Sequence, residues 1–241
     1  MISDKILVVS AHAMDYLWRC GGTIARYAGE GCQVKVVDLT YGENGESNPI
    51  WKKKPGISVE EVKKIRKNEA EEAASILGCE IEFLDWGDHP IDLTTEKVLA
   101  LAGIIKAYRP NIILTHMNNH PLNYDHELTG KVTFEALRCA HASGIIPEYP
   151  PVDHVEVYMF EPAQPDVVGF RPDTFIDITD VMEVKQRAMD RVAGQNYLPP
   201  FYSERASYRG NLARRHSQKE EIKYAEAYIR FGPYIGRTFQ Q

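Results

Sequence analysis

Ile6-Leu7-Val8-Val9-Ser10-Ala11-His12-Ala13-Met14-Asp15 is the stretch of the chain that decides its fold. Its first half is apolar or small and includes the β-branched Val8 and Val9, a pattern typical of a strand buried on both faces. His12 and Asp15 follow where this strand ends. Because ligands bind at the carboxyl ends of the strands in open α/β sheets, we expect these two polar side chains at a ligand-binding edge.

His12 and Asp15 have two interpretations at this point. An imidazole and a carboxylate delivered together to one edge of a sheet can hold a metal such as zinc. The same two residues can instead cap the helix that follows the strand. The rest of the chain has to decide between a metal site and a simple helix cap.

The composition is that of an ordinary globular protein, with 44% hydrophobic and 26% charged residues. A length of 241 residues suits one large α/β domain, so we expect a single domain over 1–241 with a helical elaboration from about residue 180. The net charge of −6 argues against nucleic acid or an anionic membrane as the main partner. The four cysteines show no C-x-x-C spacing and no signal peptide is evident, so we expect reduced thiols in a cytoplasmic protein.

Strand patterns alternate with helix patterns along the chain. Further strands are predicted over residues 34–39, 81–84, 111–115, 155–160 and 175–178. Ser58 and Glu61 form a capping box that predicts a helix ending at Gly78, and Thr94 or Thr95 begins another helix that Pro110 ends. Two more helices are predicted after residue 178. This alternation predicts an α/β fold with a mostly parallel, Rossmann-like sheet flanked by helices.

The first four predicted strands all end in polar residues, which we interpret as one shared active site. A catalytic zinc site needs three protein ligands and an open position. His12, Asp15 and His126 supply two imidazoles and one carboxylate, and His116 and His120 are rivals for the third place. Asp125 is predicted either to orient an imidazole or to cap the helix that follows it.

These motifs resemble the LmbE-like or PIG-L zinc N-deacetylases over most of the chain. The matching residues are Ala11-His12-x-x-Asp15 with Gly21-Gly22-Thr23, Thr40-x-Gly42-Glu43, Arg66-x-x-Glu69-x-x-x-Ala73-x-x-x-Leu77-Gly78, and Thr115-His116 with Asp125-His126-x-x-Thr129-Gly130. The resemblance implies the LmbE/PIG-L fold and a Zn²⁺ cofactor. By position, it places the zinc ligands at His12, Asp15 and His126.

Two positions depart from the deacetylase pattern. The first Asp of the family's Ala-His-Pro-Asp-Asp turn is the general base, and here that position is Met14, which cannot accept a proton. The family's His-Pro-Asp-His reads Asn123-Tyr124-Asp125-His126, so the His that supports the tetrahedral intermediate is replaced by Asn123. Loss of a general base costs about two to four orders of magnitude in rate, so ordinary deacetylation is not expected.

One branch of the family also lacks that Asp, the 4-oxalomesaconate (4-carboxy-2-hydroxymuconate) hydratases of gallate and protocatechuate breakdown. The chain is similar to this branch at Ser10-Ala11-His12-x-x-Asp15 with Trp18-Arg19, Gly42-Glu43-x-Gly45-Glu46-Ser47 with Trp51, Trp86-Gly87-Asp88-x-Pro90, Asn123-Tyr124-Asp125-His126, and Phe160-Glu161-Pro162-x-Gln164-Pro165. The resemblance implies that Glu46 is the acid/base. The branch has a His where this chain has Ala163, and His154 or His120 are the candidates to replace it.

We therefore predict a zinc-dependent hydratase that adds water to an unsaturated keto or enol polycarboxylate, with a small di- or tricarboxylate as its partner. The predicted catalytic residues are Glu46 and Asp125, with Glu43 as the competitor of Glu46. Predicted substrate contacts are Arg19, Glu43, His120, Asn123 and Tyr124. Four arginines near the C-terminus either bind a carboxylate of the substrate or lie on a helix surface or a subunit contact: Arg205, Arg209, Arg214 and Arg215.

The first alternative is a zinc-dependent N-deacetylase of an acetylated sugar or related amide, with Glu46 or Asp125 as its base. A metal-holding protein without catalysis is the second alternative, and the retention of all three ligands argues against it. The family resemblance also implies a homo-oligomer.

Overall fold

The strand β1, Lys5–His12, lies in the interior of a seven-stranded sheet in the computed structural model, which describes residues 5–235. The other strands are β2 (Gln33–Thr40), β3 (Glu80–Phe83), β4 (Ile112–Thr115), β5 (Glu156–Phe160), β6 (Thr174–Asp177) and β7 (Ala225–Arg230). The helices are α1 (Asp15–Gly29), α2 (Asn48–Lys53), α3 (Val59–Leu77), α4 (Thr95–Tyr108), α5 (Tyr124–His141), α6 (Met182–Met189) and α7 (Pro199–Ser217).

The strand order is β3-β2-β1-β4-β5-β7-β6, and the first five of these strands are parallel. Val8 of β1 is in register with Val36 on one side and with Leu114 on the other. The chain leaves β1 toward β2 and later returns to the opposite side of β1 as β4. The carboxyl ends of β1 and β4 therefore flank a topological switch point, which is where ligands bind in sheets of this kind. The predicted mostly parallel sheet is confirmed.

Two apolar layers cover the faces of the sheet, which explains why β1 has no exposed side. Ile6 and Val8 pack with residues of α1, α3 and α6 on one face. Leu7 and Val9 pack with residues of α4 and α5 on the other face. Because successive side chains of a strand point to opposite faces, a strand buried on both sides needs a continuous apolar run.

Local sequence signals set most of the helix ends. The Ser58–Glu61 capping box is present, and Gly78 ends α3 in a left-handed conformation with φ of 81°. Thr94 caps α4 by accepting a hydrogen bond from the backbone N–H of Lys97. The predicted capping box and the predicted end of α3 are confirmed.

The first helix and the last strand differ from the sequence-based expectation. The sequence pattern predicts a helix that opens at Gly21 and runs to about Gly29. The helix α1 instead begins at Asp15, and its backbone breaks at Cys20, where φ is −140°. After the predicted helices α6 and α7, the chain forms β7, which inserts antiparallel between β5 and β6. The region after residue 180 therefore contains a strand as well as helices. The sequence did not predict this strand because its first half, Ala225 to Ala227, consists of residues that are depleted in strands. No helix within residues 5–235 has the length and apolar character needed to cross a membrane.

A buried carboxylate from β7 compensates for the break in α1. Glu226 accepts hydrogen bonds from the backbone N–H groups of Gly22 and Thr23, at 2.9 and 2.8 Å. Lys185 of α6 donates to the same carboxylate at 2.7 Å, and both side chains are almost fully buried. Gly22 is required here because a Cβ at this position would lie 2.6 Å from the side chain of Ile178. Glu226 therefore caps the second half of α1 and joins it to α6 and β7.

We predict that Glu226→Ala lowers the free energy of unfolding by about 3–5 kcal/mol, because it leaves the buried ammonium of Lys185 without its partner. Urea unfolding followed by circular dichroism measures this change. Glu135→Ala is the matched control, since it removes an exposed pair with Arg138 whose side chains are 53% and 79% exposed, and its effect should stay within about 0.5 kcal/mol. Equal effects of the two substitutions would contradict this role of Glu226.

Candidate metal centre and active site

The turn between β1 and α1 places the first two candidate ligands. Met14 adopts a left-handed conformation with φ of 85°, which reverses the chain between the end of β1 and the start of α1. Asp15 Oδ2 accepts a hydrogen bond from the backbone N–H of His12 at 3.1 Å and lies 3.2 Å from His12 Nδ1. Arg19, one turn along α1, donates from Nε to Asp15 Oδ1 at 3.2 Å. The other oxygen of Asp15 therefore faces the imidazole of His12.

The third candidate ligand comes from the start of α5. Asn123 caps this helix by accepting a hydrogen bond from the backbone N–H of His126 at 3.1 Å. His126 Nε2 then lies 3.3 Å from Asp15 Oδ2. The side chain of His126 is 6% exposed, and neither ring nitrogen has a hydrogen-bond partner among the described residues. Buried polar groups are normally satisfied, so these nitrogens call for an explanation.

A metal ion would account for a buried imidazole that faces only the carboxylate of Asp15. His12, Asp15 and His126 each offer a ligand atom, and these atoms all lie within 4.8 Å of one another. Two imidazoles and one carboxylate with a remaining open position is the donor set of a catalytic zinc site. A second group within the same distance is His12, His89 and Asp125, which shares His12 with the first.

Asp125 lies behind His12. Its Oδ2 is 3.2 Å from His12 Nε2, the ring nitrogen opposite the one that faces Asp15. The backbone N–H groups of His89 and Ile91 also donate to this carboxylate, each at 2.9 Å. Burial raises the pKa of Asp125, but these hydrogen bonds outweigh it and lower the pKa to about 2. This contact with the ring of His12 is compatible with the interpretation in which Asp125 orients an imidazole.

The protonation of His12 reflects the same contacts. Burial lowers the pKa of His12, but the carboxylates of Asp125 and Asp15 outweigh it and raise the pKa to about 10. With Asp125 accepting from Nε2, the nitrogen that faces Asp15 is Nδ1. Nδ1 is therefore the nitrogen of His12 that would be available to a cation in place of its proton, and the carboxylate of Asp125 would hold the tautomer and the orientation of the ring.

The two rivals for the third ligand have different surroundings. His116 Nε2 accepts a hydrogen bond from the backbone N–H of Ala11 at 3.1 Å, and its ring stacks on His126 with centroids 4.2 Å apart. Its lone pair is therefore already used. His120 is 5% exposed and both of its ring nitrogens lack partners among the described residues, but it belongs to neither metal-capable group. These surroundings favour His126.

Glu46 approaches the centre from the loop that follows β2. Its Oε1 lies 4.0 Å from His12 Nδ1 and 3.9 Å from His89 Nε2. Burial raises the pKa of Glu46, but the imidazoles of His89 and His12 outweigh it, so the net pKa is lower than usual. The glycine before Glu46 serves close packing, because a Cβ on Gly45 would overlap the ring of His89 at 1.9 Å. Glu46 is thus an ionised carboxylate beside the metal-capable group.

Glu43, the competitor of Glu46, points elsewhere. It is 2% exposed, and its nearest cation is Lys63, whose Nζ lies 3.9 Å from its Oε1. Burial raises the pKa of Glu43. It does not line the cavity at the centre, so its surroundings do not support the predicted substrate contact.

A cavity of about 230 Å³ opens onto the candidate ligands. Its walls include Asp15 and His126, two of the three candidate ligands. They also include four residues with predicted roles and Ala163, which stands where the hydratase branch has a His. These five are Arg19, Glu46, His120, Asn123 and Ala163. The remaining lining residues are Trp18, Leu122, Gln164, Gln195, Tyr197, Leu198 and Tyr202. Sequence reasoning gave no role to Gln195, Tyr197 or Tyr202, because their segment carries no polar strand end and no recognised motif.

Tyr124 is a predicted substrate contact that lies away from this cavity, and it is 63% exposed. His154, a candidate to replace the missing His, has a side chain that is 80% exposed and faces Glu156 at 3.6 Å. Neither position supports the predicted role, because neither side chain lines the cavity.

The C-terminal arginines do not line the cavity either. Arg209 binds Glu161 with two hydrogen bonds of 2.7 and 2.8 Å, and Arg205 donates to the carbonyl oxygens of Pro162 and Ala163. Arg214 is half-buried and Arg215 is exposed. The arginines of this helix therefore hold the segment around Ala163 or decorate the surface.

Comparisons with known proteins find relatives over most of the chain. The model of the PIG-L family, described as GlcNAc-PI de-N-acetylase, matches residues 7–137. A 4-oxalmesaconate hydratase of Pseudomonas putida KT2440 is 41% identical over 223 residues, which cover 91% of this chain and 86% of the relative. The crystal structure of GalB, the 4-carboxy-2-hydroxymuconate hydratase of Pseudomonas putida KT2440, superposes with a TM-score of 0.95, 38% identity and coverage of 98% and 100%.

A deacetylase is also among the relatives. The diacetylchitobiose deacetylase of Thermococcus kodakarensis is 30% identical over 241 residues, with coverage of 96% of this chain and 84% of the relative. The relatives thus include a hydratase and a deacetylase, which are the two activities that the sequence motifs suggested.

We predict that His126→Ala removes tight binding of a divalent metal, because it deletes one of three ligands. The matched control is His120→Ala, which deletes another buried imidazole of the same cavity that is not in a metal-capable group. Metal content after dialysis, measured by plasma mass spectrometry, should be close to one ion per chain in the control and close to none in His126→Ala. Retention of metal by His126→Ala would contradict the ligand assignment.

Asp125→Asn should weaken metal affinity by about 10–100-fold without abolishing it, because the carboxylate acts on the ligand His12 and not on the metal itself. Competition with a chromophoric chelator measures the affinity. An unchanged affinity would mean that Asp125 does not hold the ring of His12 in its ligating orientation.

Proposed function

The chain belongs to the PIG-L family, and we propose that it acts there as a zinc-dependent hydratase. The proposed reaction adds water across the C=C bond of an unsaturated keto or enol polycarboxylate such as 4-oxalomesaconate, in the breakdown of aromatic acids. The observation that carries this proposal is which residues occupy the two positions from which a base could act. Met14, at the place of the deacetylase base, is fully buried in the apolar core, whereas Glu46 lines the cavity beside His12.

We assign zinc binding to His12, Asp15 and His126, because two imidazoles and a carboxylate fit this ion and His126 has no other partner. When bound, zinc supplies Lewis acidity that polarises a substrate oxygen. Arg19 offsets the charge of Asp15 through its hydrogen bond to Oδ1, so that only the other oxygen is left toward the two imidazoles. Asp125 keeps the ring of His12 in place.

Glu46 is the proposed general base. Its lowered pKa keeps it ionised at neutral pH, so it is ready to take a proton from water. The oxygen of that water bonds to one alkene carbon while the π electrons move toward the conjugated carbonyl. A proton then reaches the adjacent carbon, and Glu46 releases the proton that it took. The sum of these steps adds one H and one OH to the C=C bond.

The cavity suits a small anion with several oxygens. Arg19 lines it as a cation, and Asn123 and His120 add polar groups to its wall. Burial lowers the pKa of His120, so its imidazole is neutral and can donate a hydrogen bond to a carboxylate from one nitrogen. We assign Arg19, His120 and Asn123 to substrate binding. The expected homo-oligomer and the cytoplasmic location stay predictions.

The alternative function is a zinc-dependent N-deacetylase, and the similarity to a diacetylchitobiose deacetylase is the observation that favours it. It needs Glu46 or Asp125 as the base. Asp125 already accepts from His12 and from two backbone N–H groups, so it has little capacity left for a water proton. The burial of Met14 outside the cavity lining argues against the usual deacetylase chemistry.

We predict that the zinc-loaded protein hydrates 4-oxalomesaconate and that Glu46→Gln lowers kcat by about 10²–10⁴-fold, since it removes the base and keeps the shape. Loss of the ultraviolet absorbance of the conjugated substrate follows hydration, and an acetate assay on N-acetylated sugars tests the alternative. Glu43→Gln, which alters the loop carboxylate outside the cavity, should change kcat by less than about threefold.

Acetate release without hydration would overturn the hydratase proposal in favour of the deacetylase. An unchanged kcat of Glu46→Gln on 4-oxalomesaconate would overturn the base assignment, and a large loss in Glu43→Gln would transfer that role to Glu43.

A further inference from the structure

Gln195 lies in the loop between α6 and α7, and its side chain contacts the proposed base. The residue is 3% exposed. Its Oε1 accepts hydrogen bonds from Arg66 Nη2 at 2.8 Å and from Trp18 Nε1 at 3.3 Å. Its Nε2 donates to Glu46 Oε2 at 3.2 Å. One amide group thus joins α1, α3 and the loop of Glu46.

The orientation of this amide is fixed by its neighbours. The indole N–H of Trp18 and the guanidinium of Arg66 are donors only, so the amide oxygen of Gln195 has to face them. The NH₂ group then has to point toward Glu46, and the flipped amide would place donors against donors on one side and acceptors against acceptors on the other. Glu46 Oε2 therefore accepts a hydrogen bond from Gln195 Nε2, as an oxygen of an ionised carboxylate does.

Arg66 is itself held in one position. Its Nη1 donates to Glu69 at 3.0 Å, and Glu69 accepts in turn from the backbone N–H of Gly194 at 2.9 Å. A side chain at Gly194 would crowd this pair, because a Cβ there would lie 3.1 Å from Arg66 Nη1 and 3.2 Å from Glu69 Oε2. The loop before Gln195 is therefore anchored directly on α3.

The same guanidinium also contacts the turn that supplies the metal ligands. Arg66 Nη2 donates to the carbonyl oxygen of Ala13 at 2.7 Å, between His12 and Asp15 in the chain. The fully buried guanidinium of Arg66 thus binds both the turn between His12 and Asp15 and the amide of Gln195, which in turn binds the proposed base Glu46. The relative placement of Glu46 and the ligands depends on this shared contact.

We propose that Gln195 is a positioning residue for Glu46. It binds Oε2 and leaves Oε1, which faces His12 at 4.0 Å, as the oxygen that accepts the proton of the attacking water. This inference rests on the proposed role of Glu46 as the base. Loss of the contact frees the carboxylate to rotate, and a misplacement of about 1 Å costs on the order of a hundredfold in rate.

Gln195→Glu tests the proposal with little change in shape. The new carboxylate keeps an acceptor for Arg66 and Trp18, so the fold and the metal content should be retained, but it replaces the donor to Glu46 with a repelling oxygen. We expect kcat for hydration of 4-oxalomesaconate to fall by about 10–100-fold while KM changes by less than about threefold. Urea unfolding and the zinc content of the same samples separate this effect from a structural one.

A double-mutant cycle with Glu46→Gln identifies the group through which Gln195 acts. In the Glu46→Gln background, Gln195→Glu should change kcat by less than about twofold, because no ionised base remains to be positioned. If Gln195→Glu alone retains kcat, or if the two losses multiply, the inference is wrong and the base assignment stands. If Glu46→Gln alone retains kcat, the base assignment itself is wrong, which is a different outcome and overturns both.

Discussion

The candidate centre depends on one carboxylate oxygen of Asp15, which lies close to both imidazoles. Asp15 Oδ2 lies 3.2 Å from His12 Nδ1 and 3.3 Å from His126 Nε2, although the two imidazoles come from opposite sides of the switch point. This requires β1 to end beside β4, and that arrangement depends on the burial of β1 between two apolar layers. The fully buried strand gives the turn after it a fixed position. The three candidate ligands are therefore held by elements that pack on the core of the fold.

Buried ion pairs extend this rigidity around the centre. The pair of Arg66 and Glu69 joins α3 to the turn between β1 and α1 and to the loop of Gln195. The pair of Glu226 and Lys185 joins the broken helix α1 to α6 and β7. A buried charge is costly without a partner, so the loss of one member of such a pair disturbs every element that it contacts. Glu46 is more exposed than the three candidate ligands and than these ion pairs, with 28% of its side chain accessible. That exposure suits the proposed role of Glu46 as the base that meets water and substrate.

Features with a local signal were predictable from the sequence. The apolar run at residues 6–9, the Ser58 capping box and Gly78 each depend on neighbouring residues, and the structure has them where they were expected. The strand β7 was missed because its position between β5 and β6 depends on distant contacts, among them the capping of α1 by Glu226. The same limit applies to the site. His12, Asp15 and His126 follow recognisable strand ends, whereas Gln195 acquires its contact with Glu46 only through the packing of three separate elements.

Anomalous diffraction at the zinc absorption edge, from crystals of the purified protein soaked with stoichiometric zinc, tests the central claim most directly. The account predicts one strong peak about 2.0–2.2 Å from ligand atoms of His12, Asp15 and His126. A peak at His12, His89 and Asp125, the other metal-capable group of the described residues, would contradict it. The absence of any peak at either group would contradict it as well.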